Sequence, residues 1–408
     1  MRFSFLGGAE EVGMAGIFFE TGEYRFLLDY GFTPGRPPTF PKDSPEVDLC
    51  LLTHAHVDHS GMIPWLCSRI GARVFATATT QNIAGTLARD NLKISRLQGF
   101  KLPFSAQDVE SVDDFYENFS FEDRLGIEGL DIKTHSSGHI PGSTMFELND
   151  GSRTLITGDM NTIDTFLVRG AKPMKCDNLF IESTYAGRTH SDRETLIKEF
   201  RDDVRDTVKG GGTAIIPAFA VGRSQEMLMI LYDLGLDIYL DGMSRRIAPL
   251  LLENPRFLSS AKGLKKALSA TRFIHNEGQR KKALDKPGII VTPSGMLDGG
   301  PVQYYLKKAK DDEKNGVFLT GYQVEGSNGR RLIDRGAIDF GDGEEKVRCR
   351  KKFFDFSAHA DHKELLGFIR ECDPKNVILY HGDNREALAA DISCNVILPK
   401  DGETHEIE

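Results

Sequence analysis

Three histidines and one aspartate lie within six residues of the chain, in the segment Leu51-Leu-Thr-His-Ala-His-Val-Asp-His59. The segment continues an apolar run, and a loop at the end of a strand can turn several side chains toward one point. Imidazole and carboxylate groups are ligands that first-row metal ions prefer. The pattern therefore predicts a metal site at the end of a strand, around which the chain has to fold.

Further ligand-type residues follow apolar runs elsewhere in the chain. His139 lies in the glycine-rich segment 136–143, Asp159 follows the run 154–157, and His381 follows the run 376–380. One loop alone could hold a single structural zinc ion, whereas ligands collected from several strand ends indicate two metal ions with an open position. The sequence therefore predicts a catalytic centre.

The composition is that of a globular protein with several buried cores. The 408 residues are 40% hydrophobic and 27% charged, and the formal net charge of −9 argues against coating nucleic acid by bulk charge. The cysteines form no Cys-x-x-Cys pair, and the sequence shows neither an apolar signal segment nor a membrane-spanning run. We therefore expect a soluble, cytoplasmic protein that does not bind membranes.

The order of the predicted elements divides the chain into three parts. Residues 1–187 consist of short strands with helices, residues 188–354 alternate strands and helices, and residues 355–408 resemble the first part again. Alternating strands and helices are typical of a parallel sheet. We therefore expect an α/β protein in which 188–354 is inserted into one split domain.

These motifs resemble the metallo-β-lactamase superfamily, and specifically its β-CASP branch of nucleic-acid-processing nucleases. The resemblance covers essentially the whole chain and includes the archaeal and bacterial cleavage and polyadenylation specificity factor-like nucleases, relatives of RNase J. It implies an αβ/βα sandwich with an inserted β-CASP domain of parallel-sheet type. The segments that carry it are Phe180-Ile-Glu-Ser-Thr-Tyr185, Pro217-Ala-Phe-Ala-Val-Gly-Arg223, Pro293-Ser-Gly-Met296, Gly321-Tyr-Gln-Val-Glu-Gly326 and Phe356-Ser-Ala-His-Ala-Asp361.

The resemblance also implies a set of ligands for two zinc ions. They would be His54, His56 and His139 for one ion, Asp58, His59 and His381 for the other, and Asp159 bridging both. Asp29 would support the histidine loop from outside this set. A metal-bound hydroxide would then attack the phosphodiester bond.

Four residues are expected to take part in catalysis: Asp58 and Asp159 as metal ligands, and Glu182 and His359 in proton transfer. His359 would protonate the leaving 3′-oxygen, and Glu182 would orient its ring and support its protonated state. Family members that favour RNA tend to carry histidine at the position of His381. The expected activity is therefore zinc-dependent cleavage of single-stranded RNA in processing or decay, as a 5′-to-3′ exonuclease, an endonuclease or both.

The inserted part also contains candidate RNA contacts, namely Arg223, Ser224, Ser294 and Arg330. A helix is predicted to begin at Ser224, and both a guanidinium and a helix N-terminus favour phosphate. Basic residues also concentrate in 262–286 and 346–352, where they could follow a phosphate backbone or merely form solvated helix faces.

Two other functions remain open. A thioester or lactam hydrolase would share the histidine loop without needing an insertion that carries Glu182, and a catalytically silent RNA-binding subunit would be expected to lack ligands. The chain begins at the first predicted strand and ends soon after His381. We therefore expect none of the terminal domains of longer relatives, and a homodimer would have to form without them.

Overall fold

The computed structural model describes residues 1–407, which divide into two compact units. The first unit comprises Met1–Asp164, Arg169–Thr189 and the chain from His359 onward. The second comprises His190–Ala358 together with the short segment Thr165–Val168, which sequence reasoning did not separate from the first part. In the described part of the chain, no helix has the length and apolarity needed to cross a membrane.

The strands of the described chain are β1 (Arg2–Gly7), β2 (Gly16–Thr21), β3 (Tyr24–Leu28), β4 (Leu49–Leu51), β5 (Arg73–Thr77), β6 (Tyr116–Phe119), β7 (Asp131–Ser136), β8 (Thr144–Asn149), β9 (Arg153–Ile156), β10 (Asn178–Glu182), β11 (Thr213–Pro217), β12 (Ile238–Leu240), β13 (Thr271–Phe273), β14 (Gly288–Thr292), β15 (Gly316–Leu319), β16 (Ala337–Asp339), β17 (Glu344–Lys346), β18 (Arg350–Phe353), β19 (Asn376–Tyr380), β20 (Asn395–Ile397) and β21 (Thr404–Glu406).

Its α-helices are α1 (Val57–Ser60), α2 (Ile63–Ile70), α3 (Ala78–Gln98), α4 (Ala106–Ser111), α5 (Arg193–Lys209), α6 (Arg223–Leu231), α7 (Ser244–Glu253), α8 (Ala261–Ser269), α9 (Glu277–Leu284), α10 (Pro301–Ala309), α11 (Asn328–Arg335), α12 (His362–Cys372) and α13 (Arg385–Ala389).

Two sheets form the centre of the first unit. One has the strand order β21-β1-β2-β3-β4-β5-β6 and the other β20-β19-β10-β9-β8-β7. Their facing sides share an aromatic core, in which the ring centroids of Phe3 on β1 and Phe180 on β10 lie 4.9 Å apart. Burying each such side chain contributes about 1.5–3 kcal/mol. This core holds the two sheets together behind the strand ends.

Helices cover the outer face of each sheet. On the first sheet, Val74 of β5 packs in one cluster with Leu66 of α2 and with residues of α4. On the second, Leu179 of β10 packs with Ile369 of α12 and with residues of α13. The order of layers is helix, sheet, sheet, helix, so the predicted αβ/βα sandwich is confirmed.

The second unit is built on one six-stranded sheet with the order β13-β12-β14-β11-β15-β18. Every neighbouring pair in it is parallel, as the alternation of strands and helices predicted. Strands β11 and β14 are buried on both faces, which is typical of parallel sheets with helices on either side. Strands β16 and β17 form a separate antiparallel hairpin.

Candidate metal centre

Several ligand-type residues of the first unit follow the carboxyl ends of strands that pair in parallel with a neighbour. The histidine loop follows β4, which runs parallel to β3, and Asp29 directly follows β3. In the second sheet, Asp159 follows β9, and His381 follows β19, which pairs in parallel with β10. Because the side chains at parallel strand ends meet at one edge of a sheet, residues far apart in sequence come together here.

The first group of ligands consists of His54, His56, His139 and Asp159. Nδ1 of His56 lies 3.1 Å from Nε2 of both His54 and His139. Oδ2 of Asp159 lies 3.6 Å from the same two Nε2 atoms. The four donor atoms lie within 4.8 Å of one another, which is close enough for all of them to bind one metal ion.

The second group consists of Asp58, His59 and His381, and it faces the other oxygen of Asp159. Oδ2 of Asp58 lies 4.0 Å from Nε2 of His59 and of His381. Oδ1 of Asp159 lies 3.3 Å from Nε2 of His59 and 3.6 Å from Nε2 of His381. The two oxygens of the Asp159 carboxylate therefore face different histidine groups.

The unpaired atoms of this centre show that the residues fit a cation. Nε2 of His59, Nε2 of His381 and Oδ1 of Asp159 are buried and make no hydrogen bond within the described chain. Such an atom costs about 1–3 kcal/mol if it stays unsatisfied. Imidazole nitrogens and carboxylate oxygens that lie close together without hydrogen-bond partners can act as ligands of a metal ion. The cluster therefore supports a metal cofactor.

The electrostatics of the centre separate its histidines into two kinds. Burial lowers the pKa of His54 most, and the nearby imidazole of His59 lowers it further, so that this pKa lies well below its ordinary value. His54 is therefore neutral, as a metal ligand must be. Burial also lowers the pKa of His59, but the carboxylates of Asp159 and Asp29 outweigh it and raise that pKa well above the ordinary value. The same negative field would stabilise a cation between these side chains.

Asp29 contacts Thr53 and the histidine loop through its two carboxylate oxygens. Its Oδ1 accepts a hydrogen bond from the backbone N–H of Thr53 at 2.7 Å, and its Oδ2 lies 2.7 Å from Nδ1 of His59. The Asp29 backbone has φ of +58°, and that of His381 has φ of +52°. Non-glycine residues in this region are strained by about 1–3 kcal/mol and concentrate at functional sites.

Glu182 and His359 lie beside the first ligand group. Oε1 of Glu182, which is fully buried, lies 2.7 Å from Nδ1 of His359 and also accepts the N–H of Met160 at 2.9 Å. The rings of His359 and His139 are 4.6 Å apart between centroids. Burial lowers the pKa of His359, but the adjacent Glu182 carboxylate outweighs it and raises the pKa to about 9. The ring is therefore positioned to carry a proton at neutral pH.

Sequence reasoning missed Thr53, which connects Asp29 to the first ligand. Its hydroxyl donates to Oδ2 of Asp29 at 2.7 Å and lies 3.0 Å from Nδ1 of His54. The sequence signal that could have identified Thr53 is its position directly before His54, the first histidine of the loop. His362, whose spacing from His359 imitates a pair of ligands, instead bonds Asp391 at 2.9 Å between Nε2 and Oδ2.

The predicted RNA contacts belong to the second unit, and their surroundings differ. Arg223 is buried, and its Nη1 donates to Oε2 of Glu226 at 2.8 Å. Ser224 is also buried, and its hydroxyl donates to the carbonyl of Phe219 at 2.7 Å. Arg330 is 45% exposed and pairs with Asp334 at 2.9 Å.

Ser294 and the two basic stretches also belong to the second unit. Ser294 is half-buried just after β14. In the basic stretches, Arg280 is paired with Asp241 at 2.6 Å, and Lys352 with Asp203 at 3.1 Å. Several of the basic residues there are thus neutralised by carboxylates, and the role of the stretches in RNA binding stays a prediction.

Comparison with known protein families agrees with this architecture. The model of the metallo-β-lactamase superfamily matches residues 16–206, and that of the Beta-Casp domain matches residues 224–332. The model of the Zn-dependent metallo-hydrolase RNA specificity domain matches residues 344–399.

Curated relatives match over nearly the full chain. Probable RNase MJ4 of Methanocaldococcus jannaschii is 36% identical, with 99% of each chain covered. RNase aCSPSF2 of Saccharolobus solfataricus is 34% identical over 98% of this chain and 84% of its own. Transcription termination factor FttA of Methanococcus maripaludis is 32% identical over 94% of this chain and 67% of its own.

A solved protein of unknown function from Enterococcus faecalis shares the fold at 14% identity, with a TM-score of 0.65 and 99% of each chain covered. The family models, the relatives and the ligand geometry point the same way. The chain belongs to the β-CASP ribonuclease family of the metallo-β-lactamase superfamily.

Proposed function

We propose that this chain hydrolyses phosphodiester bonds of single-stranded RNA with two zinc ions held in its first unit. The first ion would bind His54, His56 and His139, the second would bind Asp58, His59 and His381, and Asp159 would bind both. Relatives named as RNases, and the match to an RNA specificity domain, support RNA as the substrate.

The observation that carries the proposal is the position of Asp159 between the two histidine groups. Its Oδ2 lies 3.6 Å from His54 and His139, and its Oδ1 lies 3.3 Å and 3.6 Å from His59 and His381. A single mononuclear site would not need a carboxylate that turns each oxygen to a different set of imidazoles. Two bound zinc ions would supply a nucleophile at neutral pH and neutralise charge on the phosphate.

The chain's own residues then carry out the proton transfer. Nδ1 of His359 faces Glu182 at 2.7 Å, so the other ring nitrogen, Nε2, is the one that can give a proton to the leaving 3′-oxygen. Glu182 holds the ring in place and stabilises its positive charge. Cleavage of the P–O3′ bond with this proton, and addition of water to phosphorus, leaves a 5′-phosphate and a 3′-hydroxyl.

A cleavage assay with end-labelled RNA tests the proposal. The zinc-loaded chain is incubated with single-stranded RNA labelled at the 5′ or the 3′ end, and the products are separated on a gel. Immediate release of a 5′-labelled mononucleotide would indicate 5′-to-3′ exonuclease action, and a ladder of internal fragments would indicate endonuclease action.

Asp159→Ala, which removes the shared carboxylate, is the control and should cleave neither RNA. RNA that binds but stays intact with both proteins would contradict the proposal and favour a silent binding subunit. Hydrolysis of a thioester or lactam without cleavage of RNA would favour a small-molecule hydrolase.

A further inference from the structure

Phe219 is an exposed aromatic residue at a position where parallel α/β sheets bind ligands. It follows β11 in the loop 218–222, and its side chain belongs to the few phenylalanines of the described chain that remain substantially exposed, at 36%. Phenylalanine rings are otherwise buried because exposure leaves their apolar surface in water. Its position at this edge of the sheet, where parallel α/β sheets bind ligands, makes Phe219 a candidate contact residue.

The loop lies at the carboxyl ends of β11 and β14, which are parallel neighbours. After β11 the chain continues into α6, which packs against α8. After β14 it continues into α10, which packs with α9 and α11 around Ile215 and Ile290 of the sheet. Where the connections of two neighbouring strands leave toward opposite faces, a crevice opens at their carboxyl ends, and ligands of α/β proteins bind there.

The backbone of the loop is held rigidly although the ring is exposed. The carbonyl of Phe219 accepts two hydrogen bonds from Ser224, one from the backbone N–H at 3.0 Å and one from the hydroxyl at 2.7 Å. The carbonyl of Ala220 accepts one from Nε2 of Gln225 at 3.0 Å. The start of α6 thus fixes the loop, and binding a ligand on the ring would cost little ordering entropy.

Glycines on the two adjacent loops leave room for the ring. A Cβ added to Gly295 would lie 3.4 Å from Cδ2 and Cε2 of Phe219, and one added to Gly321 would lie 3.3 Å from Cε2. Nε2 of Gln323 donates to the carbonyls of Gly295 and Gly321 at 3.1 Å and 2.7 Å, which ties these loops together. One edge of the ring therefore rests against glycine backbone, and the residue as a whole remains 36% exposed.

We propose that Phe219 is a stacking platform for a nucleobase of the RNA strand, which is an inference that rests on the proposed function. A partly exposed aromatic ring on a loop fixed by hydrogen bonds matches the way in which single-stranded nucleic acid is bound without sequence preference. The half-buried Ser294, one residue before Gly295, places a hydroxyl at the same edge. Ser224 acts here as a positioning residue for Phe219, since its hydroxyl holds the loop carbonyl.

Binding measurements with and without bases test this platform. Affinity is measured by fluorescence anisotropy for a labelled oligoadenylate and for an abasic oligonucleotide of equal length. Both are measured in the zinc-loaded His359→Ala background, which keeps every proposed ligand and slows cleavage. Phe219→Ala should weaken binding of the oligoadenylate by ~5- to ~150-fold and leave that of the abasic strand unchanged, since stacking requires a base.

Two matched variants separate stacking from general loss of apolar surface. Phe40→Ala removes a ring of nearly equal exposure, 37%, from the first unit and should leave both affinities unchanged. Phe219→Trp should keep the affinity for the oligoadenylate, and the fluorescence of its new indole should be quenched by that strand and not by the abasic one. The natural chain has one tryptophan, Trp65, whose signal is subtracted with the parent protein.

Unchanged preference for bases in Phe219→Ala, together with an unquenched Phe219→Trp, would overturn the platform while leaving the proposed ribonuclease intact if the parent chain cleaves RNA. A parent chain that neither binds nor cleaves RNA would overturn both.

Discussion

Asp29 and His59 are joined by a contact of 2.7 Å between Oδ2 and Nδ1, although they follow different strands. Because Nδ1 faces the carboxylate, Nε2 is the atom that His59 turns toward Asp58, Asp159 and His381. A carboxylate in this position fixes both the tautomer and the orientation of a ligating imidazole. The orientation of His59 in the proposed centre therefore depends on a residue outside the proposed ligand set.

Asp29→Asn should reduce zinc affinity by about 10- to 100-fold while the chain stays folded. The amide oxygen can still accept the N–H of Thr53, but the amide nitrogen would donate to Nδ1 of His59 and place the ring proton on Nε2. Competition with a zinc chelator measures the affinity, and circular dichroism checks the fold. An unchanged affinity would show that the tautomer of His59 is not set by Asp29.

The number of bound metal ions should respond differently to His381→Ala and Asp159→Ala. His381 is a proposed ligand of the second ion only, so its loss should leave about one zinc ion per chain, as expected if the two sites fill separately. Asp159 faces both groups, so its loss should weaken both sites and lower kcat by at least ~100-fold. Elemental analysis after dialysis counts the metal. Equal metal content in the two variants would contradict the bridging role.

The cleavage rate should fall as the pH rises through about 9. The pKa of His359 is raised to about 9 because the Glu182 carboxylate outweighs the effect of burial, so the ring keeps its proton below that pH and loses it above. Only the protonated ring can serve as the proposed donor. Glu182→Gln should therefore lower this pKa and move the alkaline decline of kcat to lower pH.

Rate profiles of both proteins from neutral to alkaline pH measure the shift, with zinc content checked at each pH. An alkaline limb that does not move in Glu182→Gln would rule out His359 as the donor.

Gly31→Ala should disturb the histidine loop through its backbone. A Cβ at Gly31 would lie 1.9 Å from the carbonyl carbon and oxygen of Asp58, so the loop would have to shift. We expect a loss of stability of about 1–3 kcal/mol or more, together with weaker zinc binding. Gly367→Ala is the matched control, because nothing lies within 4 Å of its Cβ in helix α12 and alanine is the better helix former. Chemical denaturation measures both, and equal stabilities would contradict the clash.

The parts of the fold that sequence analysis predicted are those with a clear period. Strands β1 to β4 and the parallel strands β11, β12, β14 and β15 follow from apolar and β-branched runs between turn residues. Strand β5 (Arg73–Thr77) was not predicted. Five residues between two helices are too few for the spacing of apolar residues to tell a strand from a continuation of a helix. Its parallel pairing with β4 is decided by contacts distant in sequence.

The sequence by itself determined the chemistry of the centre. Histidine and aspartate are residue types that can bind metal ions, so their positions after apolar runs mark them as candidate ligands. His54, Asp159 and His381 can be named as candidate ligands from the sequence alone, because the ability of a side chain to bind a metal ion depends on its residue type.

Only the tertiary structure decided how these groups face one another. It turned the two oxygens of Asp159 to different histidine groups, placed Thr53 between Asp29 and His54, buried Arg223 against Glu226 and left Phe219 exposed. The physical reason is that the direction of a side chain at a strand end depends on backbone dihedral angles and on packing from elements far away in the sequence. Such directions cannot be read from local spacing.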